Sequence, residues 1–89
     1  MLRLVQIEAF PEEHRAAVRA VAAAMAAAGY EPGDYTAEVS PAARGLLDVY
    51  AQHDSHPAGL SARGDLCGRC RVARYSPKTG AVSRIFGIR

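Results

Sequence analysis

Two sets of residues in this chain have the types and spacing to do chemistry. His53-x-x-His56 is followed, across a ten-residue stretch, by Cys67-x-x-Cys70. Imidazole nitrogens and thiolates at these spacings are the donors a tetrahedral zinc ion takes. An ion held by His53, His56, Cys67 and Cys70 would add its binding energy directly to folding. A redox role for the Cys pair fits less well, because a reactive thiol needs a helix N-terminus to lower its pKa and this motif leads into a strand.

The second set is cationic. Residues 69–89 hold Arg69, Arg71, Arg74, Lys78, Arg84 and Arg89, six of the chain's eleven cations, and no acid. Guanidinium groups clamp phosphates while an aromatic ring such as Tyr75 stacks on a base, the combination used on single-stranded nucleic acid. The same cations suit a solvated edge strand kept from aggregating by charge. They also suit an edge that docks on an acidic protein or adds a strand to it, as a small inhibitor would. No Gly-rich phosphate loop, nucleophile elbow or usefully spaced acid pair is present. Glu12 and Glu13 point about 100° apart on a helix. The expectation is a non-enzymatic binding module with nucleic acid as its ligand. The alternative is a protein-interaction or inhibitor module. Either reading is compatible with no cofactor, the two thiols free and the two histidines on the surface, or with a zinc-stabilised domain.

The elements that must position these groups follow from periodicity. Leu2 to Glu8 reads as a strand. Pro11 opens a helix that runs to Ala28 and stops at Gly29. His14, Val18, Val21, Met25 and Ala28 form its apolar stripe. Ala23, Ala26 and Ala27 lie outward, a small-residue face suited to close helix packing in a homodimer. Tyr35 to Val39 alternates as a second strand. Ser40-Pro41 has the form of a helix N-cap followed by Pro, predicting a second helix to about His53 with Ala43, Leu46, Leu47 and Tyr50 inward.

The last twenty-one residues read as a hairpin about Ser76-Pro77-Lys78-Thr79-Gly80. Side-chain alternation puts Arg69, Arg71, Ala73 and Tyr75 on one face. Pairing of Ser76 with Ala81 brings Arg84 and Phe86 to that face. A loop one residue shorter sends them to the other, with Val72 and Val82. Either way, arginines and an aromatic ring are expected outward together.

The predicted fold is a single α+β domain over residues 1–89 in the order β-α-β-α-β-β. Its mixed or antiparallel sheet has about four strands, with both helices on one face. That order, ending in a basic hairpin, resembles Alba-type chromatin proteins and the C-terminal domain of translation initiation factor three. The resemblance implies a nucleic-acid ligand.

Composition bounds the rest. With 89 residues, two Phe and no Trp, the core is thin. Residues 1–60 carry a balance of −4 and residues 61–89 one of +6, an asymmetry that implies an anionic partner at the C-terminal end. Met1-Leu2-Arg3 does not open a signal peptide, and the longest apolar run, Ala20 to Ala28, is too short to span a bilayer. A cytoplasmic protein without membrane partners is expected.

Overall fold

A computed structural model of the chain describes residues 2–54, 70–83 and 85–87. Among these residues five strands, β1 (Leu2–Arg3), β2 (Tyr35–Pro41), β3 (Leu47–His53), β4 (Arg71–Tyr75) and β5 (Phe86–Gly87), accompany one long helix, α1 (Glu12–Ala27). The sheet runs β1-β2-β3-β4-β5, with every neighbouring pair antiparallel. The class is α+β, and no described helix is long and apolar enough to cross a membrane.

Helix α1 forms because its local signals agree. Alanine dominates its interior, and Glu12 and Glu13 sit at the positive end of its dipole. It buries Ala17, Val18, Val21 and Met25 against the sheet. Each fully buried Val or Met contributes about 1.5–3 kcal/mol. Ala23, Ala26 and Ala27 remain exposed. The helix ends in a Schellman closure: Gly29, at φ 95°, donates to the Ala26 carbonyl, and the Tyr30 N–H reaches the Met25 carbonyl at 2.9 Å. That closure delivers Tyr30 to the edge of the core.

The first strand is shorter than expected. The Arg3 carbonyl accepts from the Gln6 N–H, and the Arg3 N–H donates to Gln6 Oε1. These bonds turn the chain after Leu4, which is fully buried.

The expected second helix is corrected. Residues 40–53 continue β2, turn at Ala42–Leu46 and return as β3. Pro41 ends β2 instead of starting a helix, and the turn passes through Arg44 and Gly45, both at positive φ (62° and 75°). Leu47, Val49 and Ala51 alternate with Asp48, Tyr50 and Gln52, a strand period. β3 pairs along all seven residues with β2 and along five with β4. These two ladders outweigh the weak helix propensity of the segment. The order is therefore β-α-β-β-β-β, and the element order behind the chromatin-protein resemblance does not hold.

One sheet face meets the helix. Tyr35, Ala37, Val49, Ala51, Ala73 and Tyr75 are buried there, with Leu2, Val39, Leu47 and Val82 packed at its margin. The other face carries Thr36, Glu38, Ser40, Asp48, Tyr50, Gln52, Val72 and Arg74. In the C-terminal hairpin, Tyr75 pairs with Val82 and the Ser76 N–H reaches the Ala81 carbonyl at 3.0 Å. Farther out, Val72 pairs with Phe86 and Arg71 with Gly87. One extra residue thus lies on the returning strand, a bulge. Both expected registers occur, one at each end of the hairpin.

Candidate interaction edge

Among the described cations of the expected surface, Arg71 is turned to the core side while Arg74 and Lys78 stay exposed. Arg71 shares a face with Ala73 and Tyr75, as alternation requires, but that face is the core side. Its Nε donates to the Tyr30 hydroxyl at 3.1 Å and its Nη1 to the Cys70 carbonyl at 2.8 Å. The guanidinium carbon lies 5.4 Å from the Tyr30 ring centre. Tyr75 is 8% exposed, so its ring is not available to stack on a base. This corrects the expectation of an outward Arg–Tyr face: a half-buried sheet sends its apolar alternates inward, and Ala73 and Tyr75 carry Arg71 with them.

Arg74 stands on the opposite face, where its Nε meets Asp48 Oδ1 at 2.8 Å and its Nη2 meets Oδ2 at 3.4 Å. Donating to the Asp48 carboxylate raises the Arg74 pKa above its ordinary value. Lys78 is exposed on the hairpin turn. Arg69, Arg84 and Arg89 lie outside the described residues.

Of the four expected zinc ligands, His56 and Cys67 also lie outside them. His53 ends β3 and not a helix. It sits opposite Tyr35 with the ring centres 5.1 Å apart, edge to face. Cys70 is fully buried just before β4. Among the described residues, no group of three or more His, Cys, Asp or Glu side chains is placed to hold a metal ion.

A feature that residue types did not announce lies along β2. β1 covers only its first half, with Leu2 opposite Ala37 and Arg3 opposite Thr36. The Leu4 N–H bonds the Tyr35 carbonyl at 2.9 Å, which fixes the alternation. Tyr35, Ala37, Val39 and Pro41 therefore direct their backbone groups toward the β1 side, and Thr36, Glu38 and Ser40 toward β3. Among the described residues no strand lies opposite Val39–Pro41. Val39 presents an N–H and a C=O there, and Pro41 presents a C=O.

Pro41 is placed where its missing N–H breaks no ladder bond, the usual position of proline on an edge. Beside this open stretch, Glu38 is exposed on the outer face and Arg44 is exposed on the turn beyond Pro41. Neither side chain forms an ion pair or hydrogen bond with another described residue. The one sequence signal for an edge is Pro41, and it equally fits a helix start.

Comparison with known protein families, with curated proteins and with solved structures gives no match to this chain.

Proposed function

We propose that this protein is a non-enzymatic protein-interaction module that receives an extended segment of a partner on the open half of β2. The observation that carries the reading is the row of backbone groups at Val39–Pro41 with no described strand opposite, beside a first half that β1 does pair. Adding a strand there satisfies those groups and continues the antiparallel sheet. Each such bond contributes about 0.5–1.5 kcal/mol net, enough to align a partner and too little to hold it alone. Flanking side chains must supply the remainder.

A grip on nucleic-acid phosphates draws less support from the geometry. Arg71 bonds inward, Tyr75 is enclosed and Arg74 is matched to Asp48. That reading rests on Lys78, on the exposed part of Arg74 and on arginines outside the described residues.

The test is amide chemical-shift mapping on isotope-labelled protein. One titrant is a synthetic peptide of alternating Thr and Val, the other a uridine oligonucleotide. The expected result is a set of peptide-induced shifts centred on Val39, with little response to the oligonucleotide. Shifts confined to residues 76–80 on adding the oligonucleotide, with β2 silent toward the peptide, would favour the nucleic-acid reading instead.

A further inference from the structure

We draw no further inference here: the strongest candidate, the exposed alanine face of α1 at Ala23, Ala26 and Ala27, is a stripe of small residues, and nothing among the described residues shows what covers it.

Discussion

Tyr35 shows how much one residue's setting departs from its type. Its ring is 4% exposed and lies edge-on to Tyr30 at 6.5 Å and to His53 at 5.1 Å. Burial raises its phenol pKa above the ordinary 10.0, and the nearby Arg71 guanidinium opposes that shift without cancelling it. A folded-state pKa above the unfolded value means the native protein keeps its proton longer than the unfolded chain does. The stabilisation is therefore whole below pH 10 and is lost as pH rises through the folded value. Urea titrations between pH 8 and 11 should show stability falling at the alkaline end, and Tyr35→Phe should flatten that fall. An unchanged slope in the variant would mean the phenol is not the group responsible. Arg71 was legible as a face-mate of Ala73 and Tyr75, but alternation states only which residues go together. Which side the set takes depends on where the helix lands.

At the scale of elements, α1 and the β2–β3 hairpin teach opposite lessons. For α1, the alanine-rich interior, the acids at its start, the apolar stripe and the glycine stop all point to one answer, and such agreement is what makes a segment readable. Gly29 is the clearest case. A Cβ built there meets nothing within 4 Å, so the cost of Gly29→Ala comes from its positive φ alone. About 1 kcal/mol of stability should be lost, read as a lower denaturation midpoint with an unchanged m-value. A neutral substitution would show that the helix end relaxes out of its left-handed closure. In residues 40–53 the signals compete. Ser40-Pro41 imitates a helix start, while Leu47 to Gln52 alternates as a strand. The contest is settled by partners on both sides, Tyr35–Pro41 just before the turn and Arg71–Tyr75 from far along the chain.

Over the whole molecule, the two oppositely charged parts of the sequence meet at one ion pair among the described residues, while a second lies within the first part. In the latter, Arg3 of β1 binds Asp54, just after β3, with Nη1 at 2.7 and 2.9 Å from its two carboxylate oxygens. Arg74 of β4 binds Asp48 of β3. Part of the charge asymmetry is thus consumed internally instead of facing a partner. Asp48→Asn releases Arg74, which gives a sharp check on the nucleic-acid reading. If the hairpin grips phosphates, the variant should bind a uridine oligonucleotide more tightly, and its salt slope should steepen by about 0.7, one added phosphate contact. If the partner is a protein strand at β2, oligonucleotide binding should stay weak and its salt slope unchanged.

The chain by itself determined what depends on near neighbours: an α+β composition, a long first helix and its buried stripe, a turn at Ser76–Gly80, and the grouping of side chains into alternating sets. Tertiary structure alone decided the β2–β3 hairpin, the side on which Arg71 and Tyr75 lie, the pairing of Arg74 with Asp48, and which half of β2 a described strand covers. The physical reason is that strand pairing is a contact with other segments, in β1–β2 and β3–β4 remote in sequence. An exposed edge is defined by what does not lie beside it, and only the arrangement of all the strands contains that information.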